Sequence, residues 1–357
     1  MKESLSISLE SLSMGQLLDR SFRVYRNHFG KLVMIAAIAQ IVTLVFQMGV
    51  NAYMLSVSGS VDPLAANPFL SGGGGGVILL GILGVIVTVL ATLLTQAALA
   101  RGVSQALLGE KFTAGSALQD AVPYVGKLFL LGFVYILFLI GALVWTIIPI
   151  VGWATGLGMI VFVAMAFTFA TPILVMEDRR PGDAMLRAWF LLRRRFWPTV
   201  GYFLTVGIFT VVVNMIIVGI ASFASLSLIS TVPSSGELLL IQGIQLVMTA
   251  VANTIVLPLT MVAYLLYYFD LRVRTEGFDL TLQMKTESGL TPVEVMKIVP
   301  DQEKERFVTF ELMMQFLLLS VAFGGIFLAF GAIISSLSLL GTSTGQVFQD
   351  VTNTLDR

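Results

Sequence analysis

The sequence predicts an all-α polytopic membrane helical bundle of about seven transmembrane helices, and three observations carry that expectation. Of 357 residues, 57% are hydrophobic and only 12% are charged, at a mean hydropathy of +0.92. No water-soluble interior hides that much apolar surface. Apolar segments recur along the chain, each long enough to cross a hydrocarbon core that needs about 20 helical residues. Basic residues gather in alternate connections between those segments, as the positive-inside rule requires.

The segments are introduced by a repeated pattern. In Gly182 to Trp197 the residues Met185, Trp189, Leu192 and Phe196 share one helical stripe, while Arg187 and Arg194 point the other way. Counted from Gly15, the same offsets give Leu18, Phe22, Tyr25 and Phe29; counted from Gly115 they give Leu118, Val122, Val125 and Phe129. The sixth residue after the glycine is small each time: Ser21, Ala121, Ala188. The spacing predicts three amphipathic-helix-plus-hairpin repeats, at about 14–100, 114–176 and 181–270, each with a helix lying on the membrane surface before two spans.

Taken in order, Ser11 or Ser13 is the expected N-cap of the first surface helix, and 32–55 is span one. No short apolar signal core precedes it, so this span is expected to act as the targeting signal. The run Gly72 to Gly76 reads as a flexible linker, since no Lys-Ser/Thr pair follows to complete a phosphate loop. Span two covers about 77–100, span three 128–150 and span four 155–176. Gly152 and Gly156 between the last two read as turn glycines. Spans five and six, about 199–227 and 238–269, exceed the minimum length, and Pro258 is expected to kink the sixth. The bundle of 1–282 ends in a cytoplasmic extension. A cytoplasmic linker follows at 283–309, then an extra terminal span and tail at 310–357, whose stretch 310–340 is the expected docking or self-association helix.

With a cytoplasmic N-terminus, this topology puts 20 of the 21 Lys and Arg residues on one side and leaves only Arg357, with the C-terminus, outside. The expected location is the bacterial inner membrane, with the surface helices against its anionic cytoplasmic leaflet.

The available chemistry is restricted. There is no cysteine and a single histidine, His28, and no Ser-His-Asp set or HExxH pattern. A catalytic site, a metal site and a cofactor are therefore not expected. Zero net charge gives no reason to expect nucleic acid. The spans carry amides and no mid-membrane carboxylate, among them Asn214, Gln245 and Asn253, the candidate solute path near Pro258. Arg179, Arg180, Arg187, Arg193, Arg194 and Arg195, with Trp189 and with Arg20 and Arg23 of the first repeat, are the candidate lipid or partner contacts. Their guanidinium groups would meet phosphates while the aromatic ring enters the acyl boundary.

Three stretches, MGQLLDRSFRVYRNHFGKL at 14–32, EDRRPGDAMLRAWFLLRRRFWP at 177–198 and LLYYFDLRVRTEGFDLTL at 265–282, resemble the bacterial glycerophosphoryl diester phosphodiesterase membrane-domain family. The resemblance covers roughly 14–282 and implies the helical bundle. In some members such a bundle precedes a soluble hydrolase barrel; here fewer than thirty polar residues and another span follow, so hydrolysis is not carried over. The expected function is a non-catalytic module, scaffold or accessory subunit, that engages anionic headgroups or a partner membrane complex through its basic face. The alternative is a permease for a lipid-like or amphipathic solute.

Overall fold

The computed structural model describes residues 12–58, 74–107, 109–226, 235–290, 292–298 and 307–326, with residues 328, 329, 332, 335 and 336. The order is α1 (Met14–Asn27), α2 (Phe29–Ser58), α3 (Gly74–Leu107), α4 (Ala114–Trp145), α5 (Val151–Glu177), α6 (Pro181–Arg194), α7 (Phe196–Leu226), α8 (Ser235–Glu276), α9 (Phe278–Glu287), α10 (Pro292–Met296) and α11 (Phe310–Ile326). Among the described residues, six helices are long and apolar enough to span a membrane: α2, α3, α4, α5, α7 and α8. The expected seventh is represented by the shorter apolar α11, and most of 327–340 lies outside the described residues, as does the tail.

Local chemistry sets the boundaries. Ser13 caps α1 reciprocally with Gln16, each side chain accepting from the other's backbone N–H. Pro181 opens α6, where its missing donor costs nothing, and Arg193 and Arg194 complement the negative end of the helix. Gly277 stops α8 at φ 61°, a left-handed turn that a side chain would resist. In the glycine run, Gly74 to Gly76 form the first turn of α3, and Gly72 and Gly73 lie outside the described residues.

Two compact units emerge. The first comprises Met1–Val134 and Ala166–Asp301. Its centre is α8, which packs against α1, α2, α3, α6, α7 and α9. Tyr202 stacks on Tyr267 at 4.5 Å between ring centroids, Phe203 on Tyr264 at 5.5 Å, and Phe169 meets Tyr264 edge-on. Outward surfaces are apolar instead, with Val45 66%, Met215 69% and Phe223 80% exposed. That inversion suits a lipid solvent.

The second unit comprises Tyr135–Met165 and Gln302–Arg357. A Cβ built on Gly158 would fall 2.1 Å from the Phe316 carbonyl oxygen, and the Gly158 N–H donates to Ser320 Oγ at 2.7 Å. Gly158 is therefore the close-approach glycine for α11. Gly152 and Gly156 pack against the 145–146 turn.

In each copy the helix expected at the surface makes contacts with the bundle. In α1, the Leu12 N–H donates to Asp270 and the Tyr25 hydroxyl donates to the Ile255 carbonyl. Thirteen residues on one strand of this contact match fifteen on the other, about 20 Å against about 22 Å of helical rise. So α1 runs antiparallel alongside α8. Met14 against Gly201 and Phe22 against Phe209 extend the same register along α7. In the second copy no break separates surface helix from span, because α4 continues through Pro123. In the third copy α6 is enclosed, with Met185, Trp189 and Leu192 at 0% exposure and Arg187 at 1%.

In the first two copies the stripe residues Phe22, Phe29, Val122 and Phe129 are exposed. What all three copies bury are the positions two and six after the glycine, Leu17, Ala117 and Ala184, then Ser21, Ala121 and Ala188. Where lipid is the solvent, small residues favour helix contacts and large apolar ones can face outward.

Candidate functional site

The charged ends of the first unit's helices converge. Lys31 lies over the Phe112 ring, which also faces His28. Lys127 of α4 pairs with Asp178 beyond α5 at 2.7 Å, and α6 is tied to α8 through a buried network.

That network joins two stretches nearly a hundred residues apart in sequence. Glu177, fully withdrawn from solvent, accepts from Arg187 at 2.7 Å, from Arg179 at 2.9 Å and from the Tyr268 hydroxyl at 2.5 Å. Arg187 reaches on to Glu276 at 2.9 Å, and Arg272 binds the same carboxylate at 3.2 Å. The rest of the Arg272 guanidinium donates to the Met296 and Ile298 carbonyls and lies 4.0 Å above Phe278. Burial by itself pulls the Arg187 pKa down, but Glu177, Tyr268 and Glu276 outweigh it and raise the value. One residue pair away, Asp270 accepts from Arg274 and from Leu12 N–H, while Arg274 donates to the Leu12 carbonyl at 2.7 Å.

These contacts are mutually satisfied, so the network acts as a tie among α5, α6, α8 and α10. Two sequence expectations change as a result. Arg187 faces carboxylates instead of a free phosphate site, and Trp189 is enclosed by protein and is not placed to enter an acyl boundary. Among the remaining candidates, Arg23 pairs with Asp19 on the surface, Arg20 is half-buried and has a lowered pKa from burial and from Arg23, and Arg193 lies over Phe190 at 5.3 Å. Arg180 and Arg194 are exposed, and Arg195 is half-buried at the α6–α7 junction.

A second cluster was not evident from sequence because its members sit on three elements. Arg101 of α3 and Lys127 of α4 both lie over the Tyr124 ring, at 4.8 Å and 5.3 Å, and Arg101 also donates to the Tyr124 hydroxyl. Asp178 is the carboxylate of this cluster. The Lys127 hydrogen bond holds its pKa below the usual carboxylate range against the opposing effect of burial, with Lys297 and Arg101 adding to the depression. Asp178 is held there at φ 52°, a left-handed conformation that aspartate tolerates better than most residues. Arg101 Nε is buried without a hydrogen-bond partner among the described residues.

Deeper in the same unit lies a cavity of about 240 Å³. Asn214 and Asn253 line it, joined by Gln96 of α3, and threonine hydroxyls come from Thr168 and Thr171 on α5, Thr210 on α7 and Thr260 on α8. Gln245 is absent from the lining; it lies eight residues before Asn253, about 12 Å along the helix. Asn214 donates to the Thr210 carbonyl at 2.9 Å, and the Thr210 and Thr260 hydroxyls are 3.2 Å apart.

An apolar-faced bundle with its charges at one end and amides in its middle defines an integral, multi-pass membrane protein. Residues 137–324, more than half of the chain, match the membrane domain of glycerophosphoryl diester phosphodiesterase, and the chain belongs to that family. The match takes in the two stretches that form the buried network and covers all but the last two residues of α11. The first stretch, 14–32, lies outside it. The matched domain is the membrane domain and not the catalytic one. No curated protein and no solved structure matches the chain.

Proposed function

We propose that the chain is a non-catalytic inner-membrane module, a scaffold or accessory subunit, whose charged end is cytoplasmic and holds anionic phospholipid headgroups. The observation that supports this reading is the cluster around Tyr124: two cations share one ring, Asp178 pairs with one of them, and among the described residues a buried guanidinium N–H of the other has no partner. A phosphate would accept that donor and balance the surplus charge. The exposed Arg26, Lys31, Arg180 and Arg194 extend the basic rim. The positive-inside distribution supports the cytoplasmic assignment.

Lipid retained by the purified protein tests the reading. Mass spectrometry of the wild-type protein should find phosphatidylglycerol enriched over the bulk membrane. Arg101→Gln with Lys127→Gln should remove most of the enrichment, and Arg193→Gln, Arg194→Gln and Arg195→Gln together should reduce it. Equal anionic-lipid content in all three proteins overturns the proposal. Because the chain has no cysteine, Arg180→Cys and Ile148→Cys each give a single label site. Membrane-impermeant reagent added to intact spheroplasts should modify the second and spare the first.

A further inference from the structure

We infer that the mid-span cavity is a binding site for an uncharged polyhydroxyl group. Its depth comes from the helices that form it. Thr210 is the central residue of the span Phe196–Ala224, and the cavity residue Thr260 lies ten residues, about 15 Å, before Asp270 at the charged end of α8. Groups at that depth have hydrocarbon around the bundle and no bulk water nearby, so a polar side chain there needs a partner.

Some of the lining groups have one. Thr171 and Thr260 back-bond to carbonyls one turn earlier, and Asn214 is engaged by Thr210. Among the described residues, the side chains of Gln96 and Asn253 have no such bond, although both face the cavity. Each amide offers two donors and a carbonyl acceptor. They come from different helices, α3 and α8, so a single guest between them would satisfy both.

The lining chemistry selects the guest. No carboxylate, lysine, arginine or histidine lines the cavity, so an ion would enter without a counter-charge at the depth where that costs most. A hydroxyl both donates and accepts, and can pair with either end of an amide and with threonine. Phe167, Val256 and Met261 form an apolar wall suited to the carbon face of such a group. The volume equals that of about eight water molecules at ~30 Å³ each. That suits a small polyol, whether a free solute or the neutral head of a lipid. The site is independent of the headgroup proposal, since it shares no residue with the Tyr124 cluster.

The test uses the full chain in nanodiscs. Glycerol and myo-inositol serve as free probes, followed by saturation-transfer NMR, and monoacylglycerol serves as the lipid probe, followed by native mass spectrometry. Binding in either arm supports the site, and the arm that responds identifies the source. Gln96→Leu with Asn253→Leu removes both amides and should weaken binding at least tenfold. A second readout does not depend on that variant folding. Thr260→Cys should react with N-ethylmaleimide and be protected by the bound probe. No binding of any probe by the wild-type chain, or equal binding by the double variant, overturns the inference. So does alkylation of Thr260→Cys that no probe slows.

Discussion

Arg187 Nε lies 2.7 Å from the Glu177 carboxylate, with the two side chains 1% and 0% exposed. A buried ion pair is costly to leave half-made, because the surviving charge keeps its desolvation penalty and loses its partner. Arg187→Met should therefore lower stability by about 3–5 kcal/mol. Arg187→Met with Glu177→Gln should cost less than the sum of the two single changes, since each removes the charge the other would strand. Thermal unfolding in detergent measures all three variants; strict additivity would show that the pair is not coupled.

The Lys127–Asp178 pair should behave differently because both side chains are more than 40% exposed. Solvent screens it, so Asp178→Asn should cost little and the cost should shrink with salt. The sign with pH follows from the lowered Asp178 pKa. A depressed carboxylate contributes stability above its unfolded value of about 3.9, and loses it as pH falls through the folded value. Wild type and Asp178→Asn should differ by a constant amount from pH 8 to 5 and converge below about pH 4. Melting temperatures across that range check the convergence.

Composition and segment length made the six apolar helices legible, since both follow from the thickness of the bilayer. Which face each helix buries was less legible. Phe22, Val122 and Phe129 were legible as part of an apolar stripe facing lipid, and they are exposed, whereas the small Ser21, Ala121 and Ala188 are buried against protein. The small sixth position was visible in the sequence; that it marks the packed face depends on the tertiary contacts. Asn214 and Asn253 were legible as mid-span amides, but their meeting with Gln96 depends on how α3, α7 and α8 pack. The same limit hid the fate of Arg187, because its partners Glu177 and Glu276 lie ten and eighty-nine residues away in sequence.

Glycines distinguish close approach from mere helix filling. Gly158→Ala would place a methyl 2.1 Å from the Phe316 carbonyl oxygen, a backbone atom that cannot rotate aside. The variant should separate α11 from α5 and raise hydrogen exchange across 310–326. Gly141→Ala meets nothing within 4 Å and should leave that exchange unchanged. It should be neutral or stabilising by about 0.5–1 kcal/mol, the backbone-entropy advantage of alanine in a helix. Equal exchange in the two variants would exclude a packing role for Gly158.

The course of α1 along α7 makes a prediction about register. Its contacts pair Met14 with Gly201 and Phe22 with Phe209, eight residues apart on both helices, so α1 and α7 advance together by about 12 Å between them. A helix lying flat across α7 would touch it at a single level. Met14→Cys with Gly201→Cys, and Phe22→Cys with Phe209→Cys, should each cross-link under mild oxidation, whereas Met14→Cys with Phe209→Cys should not. Cross-linking of the mismatched pair together with failure of the matched ones would exclude this alignment of α1 with α7. The matched result places Arg20, Arg23 and Arg26 at successive depths beside α7 and α8, and their long side chains would have to reach along α1 to meet headgroups at one level.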